Sequence, residues 1–132
     1  MNRLLDTDIL IHFLRGHEGV VNRMAARPPS TLAVPAIAVA ELYYGAFNSA
    51  HPAQNCAVVD ALRRKVRIVP FDEEAAVLFG RLKANLRNAG EILPDSDLFI
   101  AATALTAGSV LVTANTVHFE RIEDLRLEDW TR

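Results

Sequence analysis

The chain is poor in cysteine, lacks long apolar runs and carries little excess charge. Cys56 is its single cysteine, which excludes an intrachain disulfide and a zinc site built from several thiolates. No run of roughly 18 apolar residues is present, so a membrane span is not expected. Arg3, Asp6 and Asp8 interrupt the first apolar segment, which therefore does not have the pattern of a secretory signal. These features predict a cytoplasmic protein, with residues 1–132 forming a single domain.

The composition is that of a globular protein with a hydrophobic core. Hydrophobic residues make up 51% of the chain and charged residues 23%, which excludes disorder. The net charge of −2 argues at first against a polyanionic partner. Without the five acids Asp6, Asp8, Glu41, Asp95 and Asp97, however, 14 basic residues face 11 acidic ones. A mildly basic remaining surface is compatible with RNA.

Short apolar runs alternate with longer amphipathic segments along the chain. We expect strands at residues 3–6, 31–34, 66–70, 110–113 and 125–127. We expect helices from Asp8 or Ile9 to Gly16, and at residues 18–26, 36–47, 52–65, 73–88 and 95–106. This alternation predicts an α/β fold with three layers (α/β/α) and a central, mostly parallel sheet of four to five strands. The helix at 95–106 is apolar nearly all round, so it is predicted to lie buried at the centre.

Five acids lie within or beside apolar segments. Asp6 and Asp8 follow the first strand, Asp95 and Asp97 begin the apolar helix, and Glu41 lies inside the helix at 36–47. Burying an ionised carboxylate is costly unless it is paired or coordinates a cation. Acids placed this way in distant segments therefore suggest one convergent, cation-filled site.

The position of Glu41 on its helix supports the same interpretation. Ile37, Ala40, Glu41 and Tyr44 recur at helical spacing, which predicts that Glu41 shares a face with core residues. The alternative is a core acid paired with an arginine.

The topology can bring the acids to one edge of the sheet. Ligands of open parallel α/β sheets bind beyond the carboxyl ends of the strands, where Asp6 and Asn115 are expected, and Glu41 and Asp97 lie on the neighbouring helices. Oxygen ligands without Cys/His spacing favour Mg²⁺ or Mn²⁺ over zinc. Such an ion would support hydrolysis of a phosphodiester without a covalent protein intermediate.

Several of these residues also have a structural interpretation. Asp8 and Asp95 are each suited to be a helix N-cap, and Asn115 is a common type of turn residue. The histidines show no metal-binding spacing and are expected at the surface or in turns: His12, His17, His51 and His118.

A dense basic cluster lies near the middle of the chain. We call Arg63, Arg64, Lys65 and Arg67 the basic cluster. It is either the solvated end of a helix or a contact surface for the phosphates of RNA.

Four segments share one resemblance: residues 4–11, 40–46, 97–105 and 112–130. Together they resemble PIN-domain ribonucleases, specifically the VapC-type toxins of type II toxin–antitoxin systems. Residues 4–11 (LLDTDILI) resemble the opening motif of the family, residues 40–46 (AELYYGA) its second motif, and residues 97–105 (DLFIAATAL) its third. Residues 112–122 with 127–130 resemble its C-terminal stretch. The resemblance covers nearly the whole chain, and residues 55–60 are most similar to the branch that cleaves initiator tRNA.

The resemblance implies a PIN-like fold and a metal-dependent endoribonuclease toxin. It implies Mg²⁺ as cofactor, with Mn²⁺ as a substitute, held directly by Asp6 and Asp97. Glu41 would complete the acidic pocket, and Asn115 would occupy its fourth position. Asp8 and Asp95 are further candidates for the acidic pocket.

The partners implied are an RNA substrate, with tRNA and in particular initiator tRNA favoured, a small VapB-type antitoxin, and a second copy of the chain. We expect an antitoxin helix to bind apolar residues exposed on the first two helices: Ile11, Phe13, Leu14, Val20 and Val21.

Two other classes share acids after a first strand. A haloacid-dehalogenase-like phosphatase needs a nucleophilic Asp and a downstream lysine, and a receiver-like signalling module also needs a late lysine. No lysine follows Lys83 in this chain.

Overall fold

Five parallel strands form the centre of the fold. In the computed structural model, which describes residues 2–132, the strands are Arg3–Leu5 (β1), Leu32–Pro35 (β2), Arg67–Val69 (β3), Val110–Val112 (β4) and Leu127–Glu128 (β5). Their order across the sheet is β3-β2-β1-β4-β5, and every pairing is parallel. The predicted α/β class and central sheet are confirmed.

In the described part of the chain, seven helices connect the strands. They are Thr7–Leu14 (α1), Glu18–Ala25 (α2), Ala36–Phe47 (α3), Pro52–Lys65 (α4), Glu73–Asn88 (α5), Asp95–Ala107 (α6) and Thr116–Phe119 (α7). The first six agree with the predicted ranges to within about two residues, a usual uncertainty for helix ends. The short helix α7 and a 3₁₀ turn at Pro29–Thr31 were not predicted. No helix within residues 2–132 combines the length and the apolar character needed to cross a bilayer.

Alternating side chains of the strands build two separate cores. Leu5, Val34 and Val112 pack on one face of the sheet with α1–α4. Leu4 and Leu111 pack on the opposite face with α5, α6 and α7. This period of two is the one that a pleated strand imposes, and it produces the three predicted layers. Helix α6 lies centrally as expected, with Leu98 and residues 100–104 buried.

The core-facing sides predicted for two helices proved to be partly wrong. On α3 the buried residues are Ala38, Leu42 and Ala46, so the core-facing stripe is displaced from the predicted one and Glu41 does not share it. On α4 the sequence pattern predicts that Val58, Val59 and Leu62 point inward. Val59 and Leu62 are buried, but Val58 is 45% exposed.

The chain reverses its direction across the sheet between β1 and β4. From β1 it proceeds to β2 and β3 on one side, and then returns to β4 and β5 on the other. Adjacent parallel strands whose connections leave in opposite directions open a crevice at their carboxyl ends. The residues that follow β1 and β4 therefore line this crevice.

Candidate active site

Asp6 is the residue immediately after β1, and it is buried at the crevice. It is the N-cap of α1, where its Oδ1 accepts a hydrogen bond from the Thr7 backbone N–H at 2.7 Å. Its Oδ2 accepts from the Thr113 hydroxyl at 2.8 Å. Burial, followed by the charge of Asp8 and, more weakly, that of Asp97, raises the pKa of Asp6 to about 7, although both hydrogen bonds oppose the shift. A nearby cation would favour the anionic form of a carboxyl group in such surroundings.

Asp8 lies one residue into α1 and points toward the segment after β4. Its Oδ2 accepts from the Ala114 backbone N–H at 3.1 Å and lies 3.4 Å from the Thr113 hydroxyl. Its Oδ1 is buried and has no hydrogen-bond partner among residues 2–132, and burial raises the pKa of this carboxyl above its ordinary value. The N-cap interpretation of Asp8 is wrong because Asp6 occupies that position.

Glu41 reaches the crevice from α3. Glu41 is exposed, and its Oε1 accepts a hydrogen bond from the Thr7 hydroxyl at 2.8 Å. Thr7 therefore holds two acids, Asp6 through its backbone and Glu41 through its side chain. Glu41 is neither on the core stripe nor a core acid paired with arginine.

Asp97 lies in the first turn of α6 and contacts the segment after β4. Its Oδ2 is 3.1 Å from Nδ1 of His118, and Nδ1 is in turn 2.7 Å from Nδ2 of Asn115. The Asn115 backbone N–H donates to the Thr113 hydroxyl at 3.0 Å. Asn115 is the N-cap position of α7, although its side chain makes no cap hydrogen bond.

These acids converge on one cavity. It has a volume of about 240 Å³ and is lined by Asp6, Thr7, Asp8, Ile11, Glu41, Asp97 and Asn115. A larger cavity of about 310 Å³ lies at the carboxyl end of α5. Its acids, Glu91 and Asp95, are accompanied there by Lys83 and Arg87, so the excess of negative charge distinguishes the smaller cavity as the candidate site.

Asp95 does not belong to the acidic cavity. It is the first residue of α6 and not its N-cap, which is Pro94. Its Oδ1 accepts from Nζ of Lys83 at 2.9 Å. The ion pair directs Asp95 toward α5, so its expected place in the acidic pocket is wrong.

The donor set fits a hydrated divalent cation rather than an ion enclosed by protein. Within residues 2–132, no group of three or more His, Cys, Asp or Glu side chains is arranged to hold a metal ion. Mg²⁺ does not require one, because it retains several waters and is usually bound through one or two carboxylates together with substrate phosphates. The unpartnered Oδ1 of Asp8 and the raised pKa of Asp6 both indicate negative charge that a cation would stabilise.

The basic cluster lies at the end of the sheet opposite the acidic cavity. Arg63, Arg64 and Lys65 end α4, and Arg67 is the first residue of β3, where it pairs with Ala33. These positions are at the amino ends of the strands, whereas the acids lie at the carboxyl ends. The structure therefore does not bring the basic cluster into the crevice.

Three residues of the site were missed from the sequence. Thr7 and Thr113 donate hydrogen bonds to the acids, and His118 contacts Asp97. The position of Thr7 between Asp6 and Asp8 could have indicated that it contacts the acids. For His118 the available signal was the spacing of three residues after Asn115 that places both on one turn of helix. The side chain of His118 is 40% exposed, as the surface interpretation predicted, and it contacts Asp97 in addition.

No lysine lines the acidic cavity formed by the described residues. Lys83 pairs with Asp95, and Lys65 ends α4 at the other edge. The dehalogenase-like phosphatase and the receiver-like module both require a lysine near the first acid, so neither fits this site.

Comparison with known proteins agrees with the geometry. The PIN domain family matches residues 3–125. Ribonuclease VapC2 of Haemophilus influenzae is 35% identical over 127 residues, 96% of each chain. The tRNA(fMet)-specific endonuclease VapC of Shigella flexneri is 31% identical over 128 residues, 97% of each chain. In the crystal structure of DNA-bound VapBC from Salmonella typhimurium, one chain is similar with a TM-score of 0.93, at 33% identity and 98% coverage of both chains. The chain therefore belongs to the PIN-domain family and, within it, to the VapC ribonucleases.

Proposed function

We propose that this protein is an Mg²⁺-dependent endoribonuclease that acts as the toxin of a toxin–antitoxin pair, with Mn²⁺ as a substitute metal. The observation that carries the proposal is the convergence of Asp6, Asp8, Glu41 and Asp97 on one cavity at the carboxyl ends of β1 and β4. The names of the relatives, ribonuclease and tRNA-specific endonuclease, support the same reaction class.

In the proposed mechanism the acids divide into two roles. Asp6 and Asp97 would hold the cation, with Asp8 adding negative charge beside them. When bound, the cation would activate a water and stabilise the charge that develops on the leaving oxygen. Glu41 would accept a proton from the attacking water, because the Thr7 hydroxyl already engages its Oε1 and leaves Oε2 for this purpose.

The favoured substrate is tRNA, and initiator tRNA in particular. The Shigella flexneri relative is named for tRNA(fMet), and residues 55–60 of this chain resemble the same branch. The basic cluster is proposed to contact phosphates at a distance from the cut, because it lies at the opposite edge of the sheet. We propose that the protein acts in the cytoplasm, where tRNA is used.

The test is direct cleavage of defined RNAs. Purified protein is incubated with initiator tRNA, with an elongator tRNA and with an unstructured mRNA fragment, each in Mg²⁺ or in EDTA, and the new ends are mapped. We expect cleavage of initiator tRNA at discrete positions in Mg²⁺ and none in EDTA. Equal cleavage of all three RNAs would reject the tRNA preference, and undiminished cleavage in EDTA would reject the metal.

We propose a small antitoxin as the inhibitory partner. Similar solved structures are complexes named VapBC, and an arginine inserted among the acids could bridge carboxylates bidentately. The expected docking surface is only partly exposed. Val20 is fully buried, Phe13 and Val21 are half-buried, and Ile11 and Leu14 are the large apolar residues exposed on α1. Co-expression with the neighbouring small open reading frame should abolish toxicity, and persistent toxicity beside a soluble partner would reject the proposal.

We also propose that the chain forms a homodimer, which would place two crevices beside one folded RNA. Light scattering should give twice the 14.5 kDa mass of the chain. A mass of one chain at micromolar concentration would reject the dimer.

A further inference from the structure

Asp97 is held by fewer hydrogen bonds than Asp6. Asp6 accepts bonds at both oxygens, from Thr7 and Thr113, and Asp8 accepts from Ala114 and lies within reach of the Thr113 hydroxyl. In the described part of the chain, the hydrogen-bond partner of the Asp97 carboxylate is His118, through Nδ1 at 3.1 Å. The orientation of Asp97 therefore depends on one imidazole.

The contacts of His118 determine where its ring hydrogen lies. Nδ1 faces Asp97 Oδ2 at 3.1 Å and the side-chain amide of Asn115 at 2.7 Å. An ionised carboxylate can only accept, so Nδ1 must carry a hydrogen. The side-chain oxygen of Asn115 can then accept a hydrogen bond from the same N–H. This requires a half-turn of the amide, which exchanges its oxygen and nitrogen. In this arrangement Asp97 and Asn115 both accept from Nδ1 of His118.

The same segment connects Asp97 to Asp6. The backbone N–H of Asn115 donates to the Thr113 hydroxyl, and that hydroxyl donates to Asp6. A hydrogen-bonded path thus runs from Asp97 on α6 through His118, Asn115 and Thr113 to Asp6 at the end of β1. It joins two elements that approach the cavity from different directions.

We propose that His118 is a positioning residue of the site. It donates from Nδ1 to Asp97, fixes the rotation of that carboxylate, and orients the Asn115 amide toward the ring. The inference rests on the proposed function, in which Asp97 holds the divalent cation. His118 itself does not contact the substrate in this role, and acts through Asp97.

Three substitutions separate this role from simple packing. His118→Asn keeps a nitrogen donor at the same number of bonds from Cα as Nδ1. His118→Gln moves the donor one bond farther out, and His118→Leu removes it. The side chain of His118 is 40% exposed, so none of these changes opens a large cavity. His51→Leu is the matched control, because His51 is exposed and its side chain makes no cap hydrogen bond at α4.

The first readout is binding of Mn²⁺, measured by electron paramagnetic resonance, beside the rate of tRNA cleavage. Loss of a hydrogen bond that orients a ligand typically lowers metal affinity or activity by about 10- to 100-fold, and we expect that loss in His118→Leu and His118→Gln. His118→Asn should recover most of it, and His51→Leu should match wild type. Wild-type affinity in His118→Leu, or equal losses in His118→Asn and His118→Leu, would overturn the inference.

The second readout does not depend on metal or activity. Nitrogen NMR of the neutral His118 ring should show the hydrogen on Nδ1, and Asp97→Leu should abolish this preference. A hydrogen found on Nε2 in the wild-type protein would overturn the inference even if the enzyme is active. A wild-type protein with the hydrogen on Nδ1 that neither binds Mn²⁺ nor cleaves RNA would instead contradict the proposed function and leave the hydrogen-bond assignment supported.

Discussion

Replacing Asp6 by asparagine should stabilise the metal-free protein while it abolishes activity. Asp6 is buried, and its pKa is raised from 3.8 to about 7 by burial and by the charge of Asp8. The folded protein therefore retains the Asp6 proton to higher pH than the unfolded chain does. Stability contributed by the protonated group is fully present below pH 3.8 and is lost as pH rises toward 7.

The magnitude follows from the size of the shift. Roughly three pKa units at about 1.4 kcal/mol each correspond to about 4 kcal/mol of unfolding free energy lost by neutral pH. The amide introduced by Asp6→Asn would carry no charge, and the Thr7 backbone N–H can still donate to the oxygen of that amide. The amide nitrogen would face Thr113, whose hydroxyl can then donate to Asp8 Oδ2, at present 3.4 Å away. The substitution thus removes the charge and keeps the hydrogen bonds.

The assay is urea unfolding in EDTA, with Asp6→Asn compared to wild type across that pH range. The two proteins should have similar free energies of unfolding at acidic pH. Above pH 7 the variant should be more stable by up to about 4 kcal/mol. Asp72→Asn is the control, since Asp72 is also a helix N-cap that accepts a backbone N–H, at 2.9 Å, but is exposed. This control measures the effect of replacing an N-cap aspartate at an exposed site, and it should not reproduce the gain of stability at neutral pH.

Addition of Mg²⁺ completes the test. Mg²⁺ should stabilise wild type at neutral pH, because a ligand that binds only the folded state raises its stability, and should stabilise Asp6→Asn much less. The reasoning is refuted if Asp6→Asn is less stable than wild type at neutral pH in EDTA, or if the difference between them does not change with pH.

Three further variants test other residues of the protein. Thr113→Val keeps the shape of a fully buried residue but removes the donor to Asp6, so it should cost about 1–3 kcal/mol of unfolding free energy in urea titrations; unchanged stability would contradict the assigned hydrogen bond. Glu41→Gln should leave stability nearly unchanged, since Glu41 is exposed, and should slow tRNA cleavage at least about tenfold, equivalent to about 1.4 kcal/mol; a wild-type rate would exclude Glu41 from proton transfer. Arg63→Ala with Arg64→Ala should weaken tRNA binding and flatten its salt dependence, without changing the cleavage rate at saturating protein. An unchanged salt slope would remove the basic cluster from the RNA surface.

The fold could be predicted because its elements carry strong local signals. Buried strands such as Leu32–Pro35 are short apolar runs, and Asp72 marks the start of α5 as an N-cap. The core face of α3 could not be predicted, because its sequence is apolar nearly all round and periodicity does not select a face. The four residues of α7 are too few to show a period at all.

The acids of the site could be identified, but not all of their contacts. Asp6, Glu41 and Asp97 were predicted to converge, and they line one cavity. Asp95 was misplaced, because its partner Lys83 lies on a different helix and only the packing of α5 against α6 brings them together. Thr113 is likewise an ordinary end-of-strand residue in the sequence, and its role depends on β4 lying beside β1.

The central claim is that Asp6 and Asp97 hold a divalent cation for RNA cleavage, and Asp97→Asn tests it most directly. Asp97 lies in the first turn of α6 with its side chain partly exposed, so the variant should remain folded, as judged by circular dichroism and thermal unfolding. The rate of single-turnover cleavage of initiator tRNA in Mg²⁺ should fall strongly. Loss of the ligand should cost several kcal/mol of transition-state stabilisation, and about 1.4 kcal/mol corresponds to a tenfold change in rate. A folded Asp97→Asn protein that cleaves at the wild-type rate, with activity still abolished by EDTA, would show that the cation is held elsewhere.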